Sequence, residues 1–167
     1  GWGALLAPVR RWLHARQRNT LAGSRRNIAA HYDLGNDFFQ LWLDPTLSYS
    51  SAIYERADMT LPAAAVAKLA RVCRKLDLQP TDHLLEIGTG WGGLAIHAAR
   101  HHGCRVTTTT ISAEQYELAK ARVAAAGLSE RVTVLCQDYR ALSGQYDKLV
   151  SIEMIEAVGQ EYVGAYF

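Results

Sequence analysis

Between Leu84 and Arg100 the chain reads LLEIGTGWGGLAIHAAR, with four glycines in the six positions from Gly88 to Gly93. Glycine takes a positive φ without the steric cost of about 1–2 kcal/mol that other residues carry. An apolar run can therefore turn sharply into a helix there, and a ligand can come close to the backbone. Gly88, Gly90 and Gly93 fit G-x-G-x-x-G, the spacing of many dinucleotide sites. Such a site also wants an acid about 20 residues further on to bond the ribose. Positions 105–113 read RVTTTTISA, with no Asp or Glu. Instead an acid, Glu86, precedes the glycines, where a pyrophosphate gains nothing from it and a cationic ligand does.

The spacing E-x-G-x-G-x-G, Glu86 to Gly92, is the pattern of S-adenosylmethionine (SAM) methyltransferases, whose ligand carries a sulfonium and an ammonium. To hold that turn, His83–Ile87 is predicted as an apolar strand and 91–102 as a helix. A β-branched strand at 105–110, a helix at 112–126 and strands at 131–136 and 146–152 follow, then a helix from about Glu153 to the chain end. Ser112-x-x-Gln115 forms a capping box, and Gly127 caps the helix C-terminus. Strand–helix alternation predicts an α/β fold with a doubly wound, mostly parallel sheet and right-handed crossovers. Four strands stop where such sheets continue, so the chain is expected to be a piece of a longer protein, cut after the fourth strand. Ahead of the sheet, a helix is predicted from Thr60 to about Leu78. A shorter one, capped by Asn36 or Asp37, carries Phe38, Phe39, Leu41, Trp42 and Leu43 and ends at Pro45. Residues 1–60 are thus expected to form a helical arm and cover, and 61–167 the first part of a nucleotide-binding domain.

A length of 167 residues suits one domain, and no run of 18 apolar residues predicts a membrane span. No signal peptide is expected. Cys73, Cys104 and Cys136 lack metal-ligand spacing and read as reduced, buried thiols of a cytosolic protein. The chain holds 18 basic and 16 acidic residues, but six arginines and no acid precede Asp33, leaving 12 basic against 16 acidic beyond it. This basic arm predicts an anionic partner surface or, on the plainer reading, a solvated tail. Val9, Trp12 and Leu13 share one side of a helix expected over 9–18, which favours an interface with lipid over nucleic acid.

Taken together, RRNIAAHYDLGNDFF, LSYSSAIY, LLEIGTGWGGLA, VTTTTISAEQ, QDYR and YDKLVSIEMIEAVG, in that order, resemble the cyclopropane-fatty-acyl-phospholipid synthases and their mycolic-acid and branched-fatty-acid methyltransferase relatives. The resemblance covers roughly residues 25–167. It implies a class I SAM methyltransferase fold, Rossmann-like and seven-stranded, of which three strands are absent. It also implies residue roles. Tyr49 and Ser50 would contact SAM from the N-terminal cover, and Glu86, Gly88, Gly90 and Gly92 would form the turn at its methionine end. Thr110 and Gln115 would lie by the ribose, Asp138 and Tyr139 by the adenine, and Tyr32 would help close the pocket.

The chemistry so implied joins an acyl-chain alkene to the SAM methyl, and loss of a proton from the resulting carbocation closes a cyclopropane ring. Water must be kept out, aromatic faces such as Tyr32, Phe38, Phe39, Trp42 and Tyr49 can steady the cation, and a base must take the proton. The resemblance implies a bicarbonate ion as that base, held by a Cys, a Glu and later residues. Glu156 matches the Glu, whereas Ser51 stands where the family pattern YSCA has its Cys. The expected partner is the acyl chains of phospholipids at a membrane surface, with the protein cytoplasmic and peripheral to the membrane's inner face. A homo-oligomer is compatible with this. Three alternatives stay open: methyl branching of fatty acids, methylation of a small-molecule amine and, for this piece alone, a SAM-binding module without catalysis.

Overall fold

In the computed structural model, residues 35–166 are described. The basic arm and Tyr32 lie outside them. Four parallel strands, β1 (His83–Ile87), β2 (Arg105–Thr110), β3 (Val132–Cys136) and β4 (Lys148–Ser151), form one sheet in the order β3-β2-β1-β4. The first two strands have the limits that their apolar and β-branched runs predict. The register pairs Leu84 with Val106, and Val106 with Val132, so their side chains share one face. Helices α2 (Leu61–Lys75), α3 (Gly93–His102) and α4 (Ala113–Ala125) supply that face with Leu69, Cys73, Leu94, Ala95, Ala98 and Val123. A dense core results, in which Leu84, Ala98 and Cys73 have no solvent exposure. Cys136, by contrast, is exposed at the end of the edge strand β3, so only two of the three thiols are buried.

The helix ends depart from expectation where the backbone turns left-handed. α2 begins after Thr60, whose side chain accepts from Ala63 N as an N-cap, and it ends at Lys75 because Asp77 takes φ +48°. α3 starts at Gly93, two residues later than predicted, because its N-cap Gly92 sits at φ +83°. In α4 only half of the capping box forms. Ser112 accepts from Gln115 N, while the Gln115 side chain accepts from the Thr110 hydroxyl instead of reaching back. The helix predicted from Glu153 to the chain end is broken. Glu153 at φ +48° delays its start and Gly159 at φ +81° interrupts it, leaving α5 (Ile155–Val158), a 3-10 turn and α6 (Val163–Tyr166).

Ahead of the sheet, the short helix α1 (Gly35–Gln40) ends before Leu41, and the chain continues as turns. Neither Asn36 nor Asp37 caps it. Both lie within it, and the Asn36 carbonyl oxygen accepts from the Trp91 indole at 2.7 Å. Phe39 packs on the same indole with ring centroids 4.9 Å apart. These two contacts seat the cover on the glycine turn. Among the described residues, no helix is long and apolar enough to cross a membrane.

Candidate active site

The strand order reverses between β1 and β4, the place where open parallel sheets leave a crevice at their carboxyl ends. A cavity of about 180 Å³ opens there. Its floor is Glu86 and the turn from Gly88 to Leu94. One wall is the exit of β4, from Ile152 to Glu156, and the roof is the cover segment from Leu47 to Ser50, with Lys68 and Leu69 of α2 behind it.

Glu86 is the electrostatic feature of the floor. It points to the helix-covered face of β1, is 5% exposed, and its Oε2 has no hydrogen-bond partner among the described residues. Burial pushes its carboxyl up to about 8, with the neighbouring Thr108 hydroxyl pulling weakly the other way. A buried acid with an unpartnered oxygen suits a cation or a strong donor that enters the cavity. The turn above it leaves room for one. Gly90 has φ +51° and nothing within 4 Å of where a Cβ would stand, whereas a Cβ on Gly88 would meet Met154 Sδ at 2.8 Å. Gly93 lets the cover approach, since a Cβ there would stand 2.8 Å from the carbonyl oxygen of Thr46.

The roof is tied down by charge. The Asp44 carboxylate accepts from the backbone N–H of Thr46 at 2.8 Å and of Ser48 at 3.2 Å. Arg122 of α4 donates to the carbonyls of Pro45, Thr46 and Trp91 at 2.9, 3.1 and 2.6 Å. Lys68, only 5% exposed, donates to both the carbonyl and the hydroxyl of Ser50. Burial lowers its affinity for a proton, and Glu153 and then Asp44 oppose that. Next to it, Glu153 Oε1 accepts from the Ser51 hydroxyl at 2.9 Å and from the Ser51 backbone N–H at 3.0 Å.

Of the residues singled out in the sequence, Tyr49, Ser50, Glu86, Gly88, Gly90, Gln115 and Glu156 line this one cavity. The others lie elsewhere. Gly92 serves as the cap of α3. Thr110, buried at the end of β2, donates to Gln115 Oε1 at 2.8 Å. Asp138 accepts from Arg140 Nε and Nη2 at 2.9 and 2.7 Å and caps a 3-10 turn. Tyr139 meets Tyr166 edge-on, with ring centroids 5.4 Å apart. Ser51 is engaged by Glu153, not Glu156. Phe38, Phe39, Trp42 and Tyr49 do cluster, with Phe39–Tyr49 and Trp42–Tyr49 centroids 5.8 and 6.1 Å apart, but only Tyr49 of these lines the cavity. Sequence reasoning missed Lys68, Thr89, Glu153 and Met154. A lysine on the apolar stripe of α2 was the one available signal for Lys68.

A parallel sheet with a glycine turn after its first strand, and a buried acid two residues before that turn, defines a class I SAM methyltransferase-like nucleotide-binding domain. The chain belongs to the mycolic acid cyclopropane synthetase family, whose model matches residues 19–167. It is 47% identical over 151 residues to the tuberculostearic acid methyltransferase UfaA1 of Mycobacterium tuberculosis, covering 86% of this chain and 35% of that protein. It is likewise 47% identical over 137 residues to the cyclopropane-fatty-acyl-phospholipid synthase of Escherichia coli, covering 82% and 35%. Among solved structures, the mycolic acid cyclopropane synthase CmaA1, in a complex with SAH and CTAB, superimposes with a TM-score of 0.81 at 38% identity, over 85% of this chain and 50% of that one. The chain thus spans little more than a third of the curated relatives' length.

Proposed function

We propose that the intact protein is a SAM-dependent C-methyltransferase that adds a methylene to the double bond of unsaturated phospholipid acyl chains, forming cyclopropane fatty acids. The observation that carries the SAM part is Glu86, a fully buried carboxyl with a free oxygen under an open glycine cradle. Glu86 would hold the cationic amino-acid end, and the open backbone at Gly90 would let that end come close. Tyr49 and Ser50 would close over it from the roof. SAM supplies an electrophilic methyl group when bound. The acyl part rests on relatives named for fatty-acyl and mycolic-acid substrates.

The cavity wall gives the rest of the chemistry its means. The aromatic ring of Tyr49 can face a developing cation, and Arg122 and Lys68 fix the roof that carries it. The six arginines before Asp33, outside the described residues, would dock the protein on anionic headgroups at the cytoplasmic face, each contributing about 1 kcal/mol near the surface. Bicarbonate, which the family resemblance implies, fits poorly. Where the family pattern has a Cys, both donors of Ser51 already point at the Glu153 carboxylate. An anion placed there would face that charge.

The test is incubation of the intact protein with unsaturated phospholipid vesicles and SAM, followed by mass spectrometry of the acyl chains. Gain of one methylene per double bond supports the reading. Methylation of an added amine with no change in the lipid would overturn it. A second reading, methyl branching, is favoured by the similarity to the tuberculostearic acid methyltransferase; with SAM alone it would give the same mass gain but keep a carbon–carbon double bond, which the cyclopropane lacks, and only an added hydride donor would saturate it.

A further inference from the structure

The wall of the cavity holds a carboxylate that the family resemblance does not call for. Glu153 follows β4 directly, lines the cavity, and takes φ +48°, a conformation in which a non-glycine residue is strained. Strain of this kind persists only where the surroundings fix it. Here Ser51, 102 residues away in sequence, fixes it with two hydrogen bonds to one oxygen, Oε1. The second oxygen, Oε2, accepts no hydrogen bond among the described residues. Lys68 sets a positive charge near it. The pair also accounts for Ser51. A carboxylate that accepts from both the hydroxyl and the amide occupies the donors that a captured anion would need.

We propose that Glu153 is the general base of this enzyme, a built-in carboxylate that makes an external bicarbonate unnecessary. This rests on the acyl-chain reading above. In the step, the π pair of the alkene forms a bond to the methyl carbon while the carbon–sulfur bond breaks, its pair leaving on the sulfur. Glu153 Oε2 then takes a proton from that carbon, and the freed C–H pair forms the third carbon–carbon bond of the ring. The carboxylate ends protonated and returns the proton to solvent when the product leaves. No oxidant or further reactant is needed. Glu156, on the same wall, is left to shape the acyl site.

The test uses three proteins: wild type, Glu153→Gln and Glu153→Gly. Glycine is at ease at φ +48°, so the second variant should fold even if the first does not. SAM affinity should stay within about threefold of wild type in both, since the nucleotide cradle lies on Glu86 and the glycine turn. Turnover on unsaturated phospholipid should fall by about 10²–10⁴, the usual span for loss of an acid–base group. Formate or bicarbonate should restore at least tenfold in Glu153→Gly, where the carboxylate's place is open, and leave the wild type unchanged. Calorimetric titration of the wild type with bicarbonate should show no saturable binding. Wild-type turnover that collapses in bicarbonate-free buffer, saturable bicarbonate binding, or undiminished turnover in Glu153→Gln overturns this inference alone. A wild type that transfers nothing to acyl chains overturns the proposed function, and this inference with it.

Discussion

At the scale of single residues, the proposed cofactor end of the site turns on Glu86. Its carboxyl is raised to about 8 by burial, so the ligand-free protein carries it protonated at neutral pH. A cationic ligand favours the ionised form, so binding must expel that proton. The sign follows directly: affinity for SAM should rise with pH up to about 8 and level off above it. Calorimetry at pH 7 in buffers of different ionisation enthalpy should register release of close to one proton. Glu86→Gln should abolish that release and weaken binding by roughly 10–100-fold, the worth of a hydrogen bond to a charged group. Affinity that is flat from pH 6 to pH 8 would detach Glu86 from the ligand. Gly90 makes a second case. The site of its Cβ is open, so Gly90→Val has room in the empty fold, but the branched side chain would fill the cradle. Loss of SAM binding with little change in circular dichroism is expected, and near-normal affinity would contradict it.

At the scale of elements, Arg122 couples α4 to the roof. Its three carbonyl contacts join Pro45 and Thr46 of the roof to Trp91 of the glycine turn, beside the contacts of Asn36 and Phe39 with the same indole. Arg122→Met should cost about 1–3 kcal/mol of stability through carbonyls left unpaired, and should raise the KM for SAM more than it lowers kcat. An unchanged melting temperature would show that the roof is held otherwise. Such ties mark the limit of what the sequence discloses. The strands were legible because TTTT and HLLEI are β-branched or apolar runs bounded by turn residues. The cap at Ser112 was legible because its partner lies three residues away. The early end of α2 and the late start of the helix after β4 were not. Asp77 and Glu153 are non-glycine residues at positive φ, the first in a local helix-end turn closed by Leu78 N–H on the Cys73 carbonyl, the second held by Ser51. Glu86 and the glycine turn could be read from spacing, whereas Glu153 could not, because its meaning comes from Ser51, 102 positions earlier.

At the scale of the whole molecule, the proposed substrate requires the cavity and the basic arm to act together, because acyl chains lie inside a bilayer. The arm before Asp33 carries six arginines and no acid. A peptide of the first 20 residues should bind vesicles of anionic phospholipid, with a blue shift of Trp fluorescence, and salt should weaken the binding as screening shortens to about 8 Å near physiological ionic strength. Fluorescence indifferent to vesicles would separate the arm from the membrane. The central claim is that this site moves a one-carbon unit from SAM to an acyl double bond with loss of one of its hydrogens. The most direct measurement supplies SAM with a fully deuterated methyl group to the intact protein and unsaturated phospholipid vesicles, then counts deuterium in the acyl chains. Chains that gain one carbon with two deuterons, the third lost to the base, are the expected result. Chains that retain all three would signal methyl branching by another proton loss, and chains with no deuterium at all would contradict the claim outright.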